Sequence, residues 1–152
     1  NFLKLKNKNI EKNIRTLVVG NIYTIKKALI TILKYKNIKN RNLINISSFS
    51  SISGGRNIHL YAASKSALNT LITALAKDYF KNNIKIFSIV PKHIDTKSFR
   101  KNNNIKSKKN LFSFLKRKKI RKINSSENFA SFVYNKANQK FNSFNKSVVF
   151  YD

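Results

Sequence analysis

The chain has 152 residues, a length suited to one domain with a substantial core rather than two. Hydrophobic residues make up 41% and aromatics 12%, which argues against wholesale disorder, and the lack of cysteine excludes disulfides, thiolate nucleophiles and cysteine-bound zinc. Thirty-two Lys and Arg face only Glu11, Asp78, Asp95, Glu127 and Asp152, a formal charge of +27, and acids so scattered form no carboxylate pair or metal cage unless the fold gathers them.

The basic residues run from one end to the other rather than clustering in one arm. Lys, Asn, Ile, Phe and Tyr are abundant together while Gly, Pro and Trp are scarce, the pattern of AT-biased coding. Nucleic-acid binding is therefore not the expected role, although the dense stretch 97–122 is where it would reside. His59 and His93 have no second ligand at helical spacing, so no metal site is expected. "TLVVGNIYTIKKALITIL" is interrupted by Lys26 and Lys27, which reads against a membrane span, and no basic-then-apolar leader is visible. A cytoplasmic location is expected, with an organelle left open.

In chain order, residues 9–35 carry Ile10, Ile14, Leu17, Val18, Ile22, Ile25, Leu29 and Leu33 at three- and four-residue steps, the pattern of a long amphipathic helix. "LINIS", Leu43 to Ser47, reads as a buried strand. Serines and Gly54-Gly55 follow as a turn. From Leu60 a second helix is expected, with Ala63, Ala67, Leu71, Ala74 and Leu75 on its packed stripe and no Pro or Gly inside. "IKIFSIV", Ile84 to Val90, is the next strand, ended by Pro91. Residues 97–122 read as a mobile basic loop with a short helix around Leu111 to Leu115. Ser125 and Ser126 are candidate caps of a further helix with Glu127 in its first turn, and "KSVVFYD" closes the chain as a strand. Strand, helix, strand in that order predicts a βαβ crossover and an α/β fold with a parallel sheet.

Chemistry concentrates after the first strand. Ser48 stands thirteen residues before Tyr61, and Tyr61 and Lys65 are i and i+4 on one helix face. In a parallel α/β sheet the strand's carboxyl end and the start of the next helix border the ligand crevice. A free phenol titrates near 10, so a tyrosine acting as proton donor near neutrality needs an adjacent cation, and Lys65 is spaced to supply one. A serine hydroxyl beside them suits a carbonyl oxygen or its alkoxide. The chemistry suggested is proton transfer to a carbonyl as it is reduced.

Several segments stand in one fixed order: "NISS" at Asn45 to Ser48, "YAASKSA" at Tyr61 to Ala67, "LAKDY" at Leu75 to Tyr79, "IKIFSIVP" at Ile84 to Pro91, and "IDT" at Ile94 to Thr96. This ordered set resembles the short-chain dehydrogenase/reductase family, and the ending "KINSSENFASFVYNKANQKFNSFNKSVVFYD" resembles that family's closing helix, approach segment and last strand. The resemblance implies a Rossmann-like three-layer fold represented by its C-terminal part, a single domain over 1–152, and a basic loop over 97–122 governing substrate access. It implies Ser48, Tyr61 and Lys65 as catalytic residues, Ser48 positioning the carbonyl and Tyr61 giving the proton. It further implies Tyr61, Lys65, Pro91, Ile94 and Thr96 as the cofactor-binding set, with NADP as the cofactor and NAD as the alternative. The branch it most resembles is 3-oxoacyl-acyl-carrier-protein reductase of fatty acid synthesis, acting on an acyl thioester or another small carbonyl compound as a homodimer or homotetramer. The alternative is an inactive relative kept for a structural or oligomeric role.

The departures from the family pattern are specific. Its T-G-x-x-x-G-x-G phosphate loop has no counterpart, since the only glycines are Gly20, Gly54 and Gly55. Leu17 stands where the family places a catalytic Asn, and Asn21, one residue past Gly20, is expected to face away. Lys92 replaces the glycine that usually follows the proline.

Overall fold

The computed structural model describes residues 2–139 and 147–152. Three parallel strands, β1 (Asn42–Ile46), β2 (Lys85–Pro91) and β5 (Val148–Tyr151), lie in the order β1-β2-β5. A short parallel pair, β3 (Ile94–Asp95) with β4 (Asn124–Ser125), stands beyond the end of β2. The expected parallel α/β arrangement, Rossmann-like, is the one the chain adopts.

β2 is buried along nearly its whole length, which is why "KIFSIVP" reads as an apolar run rather than an alternating one. Pro91 does not stop the strand but forms its last residue, paired with Tyr151. It costs no ladder bond there because the next residue, Lys92, supplies the N–H to the Tyr151 carbonyl.

α4 (His59–Asp78) links β1 to β2. Its interior lacks Gly and Pro, and its buried Ser64 satisfies its hydroxyl on the Leu60 carbonyl at 2.7 Å, so a polar residue is tolerated against the sheet. Leu29, Leu43, Ile72, Ile84 and Ile86 form the core between this helix, α2 (Gly20–Lys34) and the sheet. On β5, the Tyr151 ring packs at a tilt against Phe129 and Phe132 of α7 (Ser126–Asn138). Ser125 caps α7, its Oγ accepting the Asn128 N–H.

Three expectations change. The first long helix is α1 (Asn7–Ile14) and α2 (Gly20–Lys34), joined by a π-helical turn over Arg15–Val19 in which the Gly20 N–H reaches the Arg15 carbonyl. A π turn holds one more residue than an α turn, so it re-phases everything after it. Counter to the reading against a membrane span, the helix Asn7–Lys34 is long and apolar enough to cross a membrane by length and composition, with a window of mean hydropathy 1.4 that two lysines do not cancel. The stretch 97–122 holds two helices, α5 (Lys97–Asn102) and α6 (Lys108–Arg117), capped by Thr96 and Ser107. The expected approach segment over 140–146 lies outside the described residues.

Ile72, at 0% exposure, sits at the centre of this core. Ile72→Ala should lower the unfolding free energy by about 2–5 kcal/mol in urea titration. Phe112→Ala, at a side chain 72% exposed on α6, should shift it by less than about 0.5 kcal/mol.

Candidate active site

The site begins with the ladder between β1 and β2, which continues past both strands. The Ser47 N–H donates to the Ile89 carbonyl at 2.8 Å, and the Phe49 N–H to the Pro91 carbonyl at 2.9 Å. The carboxyl ends of the two strands therefore stay side by side, and Ser48 leaves the sheet at that point. The chain turns into α3 (Ser50–Ser53), ended by Gly54 at φ +67, a conformation that a side chain would strain.

Ser48 is fixed from two directions. Its Oγ lies 2.8 Å from the Ser50 Oγ, and its carbonyl accepts the Ser51 hydroxyl at 2.6 Å. The Ser51 Oγ in turn accepts an amide N–H of Asn69 at 2.9 Å. Asn69 is four residues past Lys65 and eight past Tyr61, so one face of α4 both carries the reactive candidates and clasps the turn holding Ser48. Nothing in the sequence announced this clasp, because a lone Asn on a helix face carries no signal of its partner.

Tyr61 is 39% exposed. Lys65 is half-buried, and that burial pushes its ammonium below the ordinary lysine value. Its Nζ lies 5.9 Å from the centre of the Tyr61 ring and donates to the Ile46 carbonyl at 2.8 Å, at the last residue of β1. Lys65 is thus brought to the strand end beside Ser48, bonded to backbone rather than to the phenol.

Lys65 also lines a cleft of about 410 Å³ on the outer side of β1, shared with Asn21, Thr24, Asn42, Ile44 and Ile46. Counter to the expectation that it faces away, Asn21 lines this cleft: it stands four residues, about one helical turn, past Leu17 and donates to the Leu17 carbonyl at 2.9 Å. Among the described residues β1 has a strand partner on one side only, and the Asn42 Oδ1 is buried there without a partner.

Pro91, Ile94 and Thr96 follow one another across the ends of β2 and β3. The Thr96 Oγ1 accepts the Phe99 N–H at 3.0 Å as the cap of α5, which leaves its hydroxyl proton free to donate. The turn is held by Asp95, which takes both Nε and Nη2 of Arg100 at 2.6 Å. Lys92 is drawn aside: its Nζ is 2.6 Å from Asp152 and lies over the Phe49 ring.

These donors fit the nicotinamide and ribose half of a dinucleotide: an ammonium, a phenol and a free hydroxyl proton near two strand ends. They do not fit its pyrophosphate. Gly20 lies inside the long helix, Gly54 ends a four-residue helix, and a Cβ on Gly55 would strike Ile58, so none of them opens a strand-to-helix turn for phosphate.

A sequence model described as short chain dehydrogenase matches residues 1–107. An uncharacterized oxidoreductase of Staphylococcus aureus is 35% identical over 79 residues, 52% of this chain and 33% of the relative. A 4-hydroxyisoleucine dehydrogenase mutant complexed with NADH and succinate superposes at TM-score 0.80 and 24% identity, over 99% of this chain and 60% of that one. The 3-oxoacyl-[acyl-carrier protein] reductase from Brucella melitensis in complex with NAD does so at TM-score 0.82 and 18% identity, over 99% and 58%. At such identities the structural likeness shows the fold. The matched stretch spans about a third of the length of the curated relative, and the chain about 60% of that of the dehydrogenase structure.

The Arg100 hydrogen bonds hold the Asp95 carboxyl below its ordinary value of 3.8. A carboxylate depressed in the folded state stabilises it above the unfolded value and stops doing so as pH falls through the folded one. Arg100→Gln should therefore be less stable than the native chain at neutral pH, with the gap between their urea midpoints closing as pH drops below about 3.8.

Proposed function

The chain belongs to the short-chain dehydrogenase/reductase family, and from that premise we propose that it serves the reduction of a carbonyl group by a nicotinamide cofactor. What supports the reading is that Lys65 reaches the end of β1 at the Ile46 carbonyl and lies 5.9 Å from the Tyr61 ring centre, while the turn bearing Ser48 is tied to the same helix through Ser51 and Asn69. NADPH is the first donor in this reading and NADH the second. A 3-oxoacyl thioester on acyl carrier protein is the leading substrate, supported by the likeness to the Brucella reductase. A small hydroxy acid or its keto form is the second, supported by the likeness to the 4-hydroxyisoleucine enzyme.

When bound, the cofactor supplies a hydride. The work of this chain's residues is to hold the carbonyl and deliver a proton. The Ser48 hydroxyl donates to the carbonyl oxygen, which its clasp keeps beside the strand end. Tyr61 gives its phenolic proton to the oxygen as negative charge develops there. The Lys65 ammonium, released from Ile46, stabilises the phenolate left behind and donates to a ribose hydroxyl. The hydroxyl proton of Thr96 serves a carboxamide oxygen, with Pro91 and Ile94 forming the wall beside it. The pyrophosphate needs residues beyond those described here, so the reading gives this chain the nicotinamide-facing half of the site.

A second copy of the chain completes the reading. Ile22, Ile25, Leu29, Ile30, Leu71 and Leu75 line a mostly apolar groove of about 250 Å³ between α2 and α4, with Ile22 and Ile30 partly exposed. In this reading these helices face a partner's helices across a homodimer. Ile22→Glu with Ile30→Glu should convert a dimer to a monomer in light scattering. Unchanged mass, or vesicle binding that the same changes abolish, would overturn the dimer.

The reductase reading is tested by NADPH and NADH binding, and by reduction of a 3-oxoacyl thioester, with the full gene product. Tyr61→Phe should lower the reduction rate by about 10²–10⁴-fold while leaving cofactor binding within about threefold. A full gene product that binds neither cofactor would instead favour the inactive, structural relative.

A further inference from the structure

Three segments converge beyond the carboxyl ends of β2 and β5. Lys92 and His93 follow β2, Asp152 follows β5, and residues 118–122 lead into β4. They are tied by backbone: the Lys92 N–H donates to the Tyr151 carbonyl, and the Asn124 N–H to the His93 carbonyl. Between them lies a cavity of about 420 Å³ lined by Lys92, His93, Lys118, Lys119, Ile120, Arg121, Lys122 and Asp152. That volume falls within the roughly 300–1,000 Å³ of small-molecule sites. The place fits as well, since open α/β sheets bind ligands outside the carboxyl ends of their strands.

The lining has an unusual charge. Five of the lining residues are cationic and one, Asp152, is a carboxylate, which Lys92 engages at 2.6 Å. The backbone is bent to present them. α6 ends with the Ile120 N–H on the Leu115 carbonyl and the Lys119 N–H on the Lys116 carbonyl, a closure that favours Gly or Asn at its left-handed position. Lys119 occupies that position at φ 55, at a cost of about 1–2 kcal/mol, and the chain then folds back over the strand ends.

We propose that this cavity is an anion site for the phosphoryl group of a small phosphorylated ligand, bound by Lys118, Lys119, Arg121 and Lys122. The site is independent of the reductase reading. Phosphoryl oxygens suit it because one compact group accepts from several cationic donors at once, and a guanidinium meets two of its oxygens in parallel. A phosphate monoester and a diphosphate share this chemistry.

The test is calorimetric titration of the chain with glycerol phosphate and, separately, with pyrophosphate at physiological ionic strength, where screening over about 8 Å removes diffuse attraction. Saturable binding of either is expected, and the tighter of the two identifies the class. Lys119→Asn with Arg121→Gln should weaken it by about tenfold or more, Asn being chosen because it tolerates the left-handed turn. Lys8→Gln with Lys12→Gln on α1 removes the same charge elsewhere and should change it by less than about twofold. Arg121→Gln alone, at an exposed residue outside any helix or strand, provides the reading should the double variant fail to fold. No saturable binding of either anion, or equal weakening by the pocket and α1 variants, would overturn the proposal.

Discussion

The parallel register of β1 on β2 is the constraint on which the rest depends. Leu43 pairs with Ile86 and Asn45 with Ser88, a side-by-side fit that continues through Ser47 and Phe49 to Pro91. A slip of one residue would exchange the faces of the strand and turn Leu43 out of the core. The same register sets how far Ser48 emerges beyond the sheet and where Lys65 meets the Ile46 carbonyl. Fold and site are one arrangement: the apolar pairing that buries Ile86, Phe87 and Ile89 also fixes the polar atoms at the strand ends.

Much of this was legible in the sequence because the signals are local. The uninterrupted period of α4, the β-branched runs of β1 and β2, and the Ser125 cap each act within a few residues. The ordered motifs then placed Ser48, Tyr61, Lys65 and Thr96 near those ends. What escaped is non-local or hidden by composition. The π turn at Arg15–Val19 has no breaker residue to mark it. The density of lysine over 97–122 suggested a loop, although Thr96 and Ser107 are ordinary N-cap residues that mark both helices. The clasp from Asn69 through Ser51 to Ser48 joins residues that only the tertiary fold brings together.

The distribution of charge and glycine divides the molecule's chemistry. At the β1 end are one half-buried ammonium, a phenol and clustered hydroxyls, suited to guiding a proton in a partly dry site. At the β2 and β5 ends are exposed cations around an open cavity, suited to an anion rather than to proton transfer. No glycine among the described residues offers phosphate a backbone cradle, and the positive charge at the β2 and β5 ends is carried by side chains.

The central claim is that Lys65, Ile94 and Thr96 form the nicotinamide-facing part of a cofactor site. The most direct test is titration of the isotope-labelled chain with reduced nicotinamide riboside, which carries the reactive ring and its ribose without any phosphate, followed by amide chemical shifts. Saturable shifts centred on Lys65, Ile94 and Thr96 are predicted. Shifts confined to other parts of the chain, or none at all, would contradict the account.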